Sequence, residues 1–178
     1  MSKTFYITTA IDYVNGQPHL GHAYEKIITD VIVRARRCLG EEAFYLTGLD
    51  EHGQKVQQAA EAAGKDSQTY CDELANDWQA FVKKLGISNN DFVRTTDARH
   101  QAVVCEILQQ LYDAGEFYQD EYVGFSSAKQ ESFLTDKDRD ADGNFDPLYG
   151  EVQELREKNY YFKLGRHQQW LIDHIEAN

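Results

Sequence analysis

The 178-residue sequence is poor in proline (2 residues), cysteine (3) and basic side chains, and it has no long apolar run. Nothing approaches the ~20 apolar residues that span a bilayer, so no membrane partner is expected. Sparse proline with 12 glycines and 12% aromatic residues excludes a collagenous or low-complexity chain. Cys38, Cys71 and Cys105 are widely spaced and form no CxxC pair. That pattern disfavours a disulfide scaffold and a zinc knuckle and points to a reducing compartment, the cytoplasm. The opening Met1-Ser2-Lys3-Thr4 leads into a short apolar segment without a small-residue cleavage site, so no secretory signal is expected. Lys and Arg number 18 against 30 Asp and Glu, a formal net charge of −12. Neutralising phosphates takes basic side chains in excess, so the chain is no general nucleic-acid coat. Any nucleic-acid contact must use a local patch.

What is present is an ordinary globular composition, 42% hydrophobic and 27% charged, long enough for a domain with a core. Residues 5–11 are β-branched and aromatic and read as a buried strand. After the turn Asn15-Gly16-Gln17-Pro18, Tyr24, Ile27, Ile28, Val31, Ile32 and Ala35 recur at helical spacing, with Gly40 as the stop. Ala43 to Leu49 reads as a second strand, and an alanine-rich helix runs to about Ala63. Further helices are marked by Tyr70, Leu74, Trp78, Phe81 and Leu85, and by Val103, Val104, Ile107, Leu108 and Leu111 after Asp97. Strand, helix, strand and then helices open an α/β domain with a parallel sheet, Rossmann-like in type. From Phe117 the texture changes to short strands, at Phe117-Tyr118 and Tyr122–Phe125. They lead into a dense acidic run from Asp136 to Glu157, read as a solvated loop, and then to Tyr160–Leu164. This is a small, mostly β insertion, and a helix over Arg166 to Ile175 closes the chain. The organisation is therefore 1–116 as the first half of a nucleotide-binding domain, 117–160 as an insertion, and 161–178 as the start of the return.

The sharpest feature is Pro18-His19-Leu20-Gly21-His22, between a strand and a strong helix. Helix N-termini offer unpaired N–H groups and the positive end of a dipole, and so bind anions. Gly21 clears space for a ligand lying against the backbone. Two imidazoles three residues apart can both reach one phosphate chain and stabilise charge on a leaving pyrophosphate. The same residues would also serve as surface histidines of a capped helix. Asp50 ends the second strand, where open α/β sheets bind ligands, and a carboxylate there can pair with a cation. It would equally serve as a cap for the helix starting near Gly53.

These residues resemble the class I aminoacyl-tRNA synthetases, whose first signature is His-Ile-Gly-His or a close variant in this setting. Three further stretches narrow the likeness to the methionyl-tRNA synthetase family: Tyr6 to His22, Phe44 to Lys55, and Phe92 to His100. Glu157 to Phe162 resembles the family's return from its insertion. The resemblance implies that His19, Gly21 and His22 contact ATP, with the two histidines catalytic on its phosphates. It implies that Asp50 accepts the methionine ammonium group, and that Ile11 and Tyr13 stand at the mouth of the methionine pocket. Aromatic contact with a thioether suits that role, although Ile11 alone would read as core. The implied reaction is ATP- and Mg2+-dependent activation of methionine to methionyl-adenylate, followed by transfer to tRNA(Met).

Departures from the family are specific. Ala10 stands where the family commonly has proline, and Asp12 where it has an aromatic residue or proline. Many relatives carry cysteine pairs in the insertion that hold zinc; Ser127 and Gln130 here cannot form a thiolate site, so no metal is expected. The family's Lys-Met-Ser-Lys-Ser loop and anticodon-binding domain do not occur in this sequence. It is therefore expected to be the N-terminal part of a catalytic domain, weak or inactive alone and prone to self-association through unpaired strand edges. Two alternatives stay open: an inactive synthetase-derived binding or assembly module, and a stand-alone nucleotidyltransferase sharing the HxGH signature.

Overall fold

The computed structural model describes residues 3–127, 129–130 and 132–177. They form two compact units, Met1–Val103 and Val104–Asn178. In the first, β1 (Thr4–Tyr13), α1 (Leu20–Cys38), β2 (Glu42–Asp50), α2 (Gln54–Ala62), α3 (Ser67–Lys84) and β3 (Asp91–Arg94) follow in order. Their sheet is parallel with order β1-β2-β3, as the strand–helix–strand pattern requires. Tyr13 pairs with Asp50 and Gly48 with Val93, so the carboxyl ends of β1 and β2 finish side by side. The strand β3 is not legible from periodicity: four half-buried residues are too few to show an alternation.

Beneath those strand ends lies a core of Val14, Leu49, Val56, Cys71, Leu74, Ala75 and Trp78. Burial of each large apolar side chain there contributes about 1.5–3 kcal/mol. Cys38, Cys71 and Cys105 are all free thiols.

Helix α1 turns a different face inward from the one its apolar spacing suggests. Tyr24, Ile27, Ile28, Val31 and Ile32 are exposed, with Tyr24 at 68% and Val31 at 61%. Its buried residues are Ala23, Lys26, Thr29, Asp30 and Val33. Burying polar groups is tolerable only when each finds a partner. Here each polar side chain does: Lys26 pairs with Asp12, Thr29 donates to the Glu25 carbonyl, and Asp30 accepts from the Ser88 amide at 2.7 Å. Burial pushes the Asp30 carboxyl up, but hydrogen bonds from Ser88 and Arg34 outweigh it and hold it below the usual carboxylate range.

Helix α4 (Ala98–Asp113) crosses the division between the units and buries none of its residues. In the second unit, β4 (Phe117–Ser127), β5 (Ser132–Leu134) and β6 (Val152–Phe162) form an antiparallel sheet of order β5-β4-β6, followed by α5 (Gln168–Ala177). The two short strands expected at 117–125 are one strand. It pairs with β6 along its whole length, from Phe117 opposite Phe162 to Ser127 opposite Val152. Glu154 and Glu157 consequently lie on β6 and not in a loop, so the solvated-loop reading of the acidic run holds only for its first part. Cross-strand stacking of Tyr118 on Tyr161, with centroids 5.4 Å apart, favours that register over a loop. Residues beyond 160 stay joined to this unit, because Lys163 N–H donates to the Glu116 carbonyl at 2.8 Å.

The tip of this sheet is tied by side chains. Ser127, fully buried, donates to the Tyr149 carbonyl and accepts from the Gln130 amide, while Gln130 Nε2 donates to the Leu148 carbonyl. The Arg139 guanidinium lies between the Phe125 and Phe145 rings, 4.4 and 4.2 Å from their centroids. Among the described residues no group of three or more His, Cys, Asp or Glu could hold a metal ion, and no helix is long and apolar enough to cross a membrane.

Candidate active site

The carboxyl end of β1, the turn after it and the first turn of α1 build the site. His19 is the N-cap of α1, with extended backbone at φ −129° and ψ 179°. Its Nδ1 accepts from the Gly21 amide at 3.1 Å, and its own amide donates to His22 Nδ1 at 3.2 Å. The two histidines thus form a reciprocal capping box, an arrangement usually made by Ser or Thr with Glu or Gln. Because both Nδ1 atoms accept, the proton of each neutral ring lies on Nε2. The rings stack with centroids 3.7 Å apart, and His22 meets the Trp78 ring at 4.7 Å. A Cβ at Gly21 would fall 3.0 Å from His19 Cε1, tight enough that the His19 ring would have to shift.

Burial pulls the His22 pKa below its ordinary value; Asp12 acts against this, while His19 and Lys26 add to it. That direction favours the uncharged ring, which still carries one N–H donor. Asp12 Oδ1 lies 3.7 Å from His22 Nε2, beyond hydrogen-bond reach. Trp78, fully buried, donates from Nε1 to the Gly16 carbonyl at 3.3 Å and pins the turn that precedes His19.

A cleft of about 430 Å³ opens here, lined by Ile11, Asp12, Tyr13, Asn15, Gly16, Gln17, His19, His22 and Trp78. It brings Ile11, Tyr13, His19 and His22 together. Ile11 is 41% exposed on the cleft, so it is not a core residue. Gly21 and Asp50 lie off its wall. Asp50 is half-buried beside Tyr13 in the strand register, and its Oδ1 accepts weakly from the His52 amide at 3.4 Å. It does not cap α2, whose N-cap is Gly53 with no side-chain bond. Its neighbour Glu51 carries the structural load: that buried carboxylate takes hydrogen bonds from Arg94 Nε (2.7 Å) and from the Thr96 hydroxyl. The Arg94 guanidinium is raised above its usual range by Glu51 and Asp72, which outweigh its burial.

Sequence reasoning missed Lys26 and used Trp78 only as a marker of a helix. The available signal was the run of polar types Lys26, Thr29 and Asp30 at three- and four-residue spacing, which marks one face of α1.

Comparison with known proteins fits this geometry. The family model described as tRNA synthetases class I (M) matches residues 5–143. The methionine–tRNA ligase of Deinococcus radiodurans is 41% identical over 185 residues, and that of Rhizobium meliloti 40% over 180. Each alignment covers 99% of this chain, but only 27% and 35% of the two relatives. Among solved structures, Mycobacterium tuberculosis methionyl-tRNA synthetase in complex with methionyl-adenylate superimposes with a TM-score of 0.89 at 38% identity, covering 99% of this chain and 35% of that one. With the model matching most of its length and the relatives agreeing along all of it, this chain belongs to the class I tRNA synthetases, in the methionyl branch.

Proposed function

We propose that this chain supplies the ATP phosphate and methionine sites of a cytoplasmic methionine–tRNA ligase, with 1–116 as catalytic core, 117–160 as insertion and 161–178 as the return. The observation that carries the reading is the pair of histidines whose Nδ1 atoms are used within the helix cap, leaving two Nε2–H donors at a cleft on the strand ends. In the reaction a methionine carboxylate oxygen bonds to the α-phosphorus of ATP. The bond from that phosphorus to the bridging oxygen breaks, and pyrophosphate leaves with the electron pair. His19 and His22 donate to phosphate oxygens as that charge develops, which is electrostatic stabilisation by groups already in place. Magnesium bound to the ATP phosphates would supply further charge neutralisation. Gly21 admits the nucleotide beside α1, Ile11 and Tyr13 border the methionine side chain, and Asp50 accepts its ammonium group. The adenylate then passes its methionyl group to the terminal hydroxyl of tRNA(Met), releasing AMP. Methionine-dependent exchange of labelled pyrophosphate into ATP by the intact protein tests this reading, and no exchange would refute it.

Asp50→Ala is expected to weaken methionine affinity by about 1.5–3 kcal/mol, the worth of a charged hydrogen bond. Titration calorimetry that finds affinity unchanged would remove Asp50 from the site.

The bonds of Ser127 and Gln130 support a knuckle held without metal. Incubation with a chelator should leave the melting temperature unchanged, whereas Ser127→Ala should cost about 0.5–1.5 kcal/mol for each hydrogen bond lost. One tightly held zinc per chain in elemental analysis would overturn this.

A further inference from the structure

Two neighbouring positions of β1, Ala10 and Asp12, are each met by a charged side chain of α1. The Ala10 amide donates to Glu25 Oε1 at 2.9 Å, a bond that proline could not make. Asp12 Oδ2 pairs with Lys26 Nζ; the lysine side chain is wholly buried and the aspartate nearly so. The other oxygen, Oδ1, faces His22 Nε2. We propose that Asp12 and Lys26 are positioning residues for His22: the Lys26 ammonium balances the Asp12 charge, so the carboxylate directs the ring without turning it into its own cation.

The geometry explains why the lysine is needed. A carboxylate 3.7 Å from an imidazole, with no other cation near, holds a proton on the ring and draws its N–H into an ion pair. The donor is then spent on Asp12. With the ammonium already on Oδ2, the Nε2–H stays uncommitted at the cleft. The other groups facing His22 do not substitute for this pair. On α1 they are His19, stacked on the ring, and Glu25, whose Oε2 is 4.0 Å from Lys26 Nζ. From α3 the ring meets Trp78, while Asp77 of that helix is held by Gln17 Nε2 at 2.8 Å. The consequence for catalysis rests on the functional reading above; the state of the ring does not.

The test is an NMR titration of the His22 ring in this chain. Lys26→Met should raise its pKa by about 1–2 units and Asp12→Asn should lower it, with the double variant between them. Shifts of the same sign, or none, would overturn the proposal. Each single variant strands a buried charge, so the double variant provides a second reading. Its neutral side chains keep the volume, and such replacements are commonly tolerated. In it the ring-to-Trp78 contacts should average out; contacts as sharp as in the parent chain would show that the pair positions nothing. In the intact protein, Lys26→Met should also move the acid limb of turnover to higher pH. Absence of exchange in every form would count against the functional reading and leave the ring titration standing.

Discussion

His19→Ala or His22→Ala in the intact protein should lower turnover by about 10²–10³-fold, the usual loss on removing one preorganised donor to developing charge. Methionine affinity should stay close to that of the parent. The capping box complicates alanine, because losing an N-cap costs about 0.5–2 kcal/mol of stability on its own. His19→Asn and His22→Gln separate the two effects. Asparagine is a good N-cap and glutamine a good third residue of a capping box, so both should restore the melting temperature. Neither reproduces an imidazole Nε2–H at the same reach, so turnover should remain low. Recovery of rate along with stability would mean that the histidines act only as caps.

Arg94→Ala should be strongly destabilising in the first unit. It leaves Glu51, whose side chain has no exposed surface, without its cation. Breaking a buried pair from one side costs about 3–5 kcal/mol, where an exposed pair such as Arg94 with Asp72 contributes little. For a unit of this size that corresponds to a fall in melting temperature of upward of about 10 °C. Adding Glu51→Gln should recover part of the loss, since an amide is cheaper to strand than a carboxylate. A calorimetric scan showing Arg94→Ala within a degree or two of the parent would place the stability of the β2–β3 end elsewhere.

The legible parts of this protein are those where sequence period and local chemistry act alone. Strands β1 and β2 announce themselves by β-branched and aromatic runs, and the start of α1 by Pro18 and the histidines. The short β3 carries no period, and it forms because Phe92 packs on the core and its backbone completes the edge of β2. Periodicity marked α1 as a helix correctly, but it does not say which face turns inward, and the apolar stripe is exposed. The inward face is polar and depends on partners 14 and 58 residues away, Asp12 for Lys26 and Ser88 for Asp30, which no local window can pair. The same reason hid the environment of His22. HxGH identifies the ring, but the lowering of its pKa comes from burial, with His19 and Lys26 adding to it, and its packing from Trp78. Asp50 was placed correctly at a strand end, and only the structure removes its role as a cap, because α2 starts at Gly53 without it.

The strand–helix pairs of Ala10 with Glu25 and Asp12 with Lys26 also bear on engineering by family consensus. Restoring the commoner residue usually gains stability. Here proline at position 10 would discard the amide that Glu25 accepts from, and an aromatic ring at position 12 would leave a fully buried ammonium without its counterion. Those reversions should therefore harm the protein one at a time. Segments β1 and α1 should thus behave as one block: a graft between this chain and a relative should succeed when both are exchanged together and fail when either moves alone.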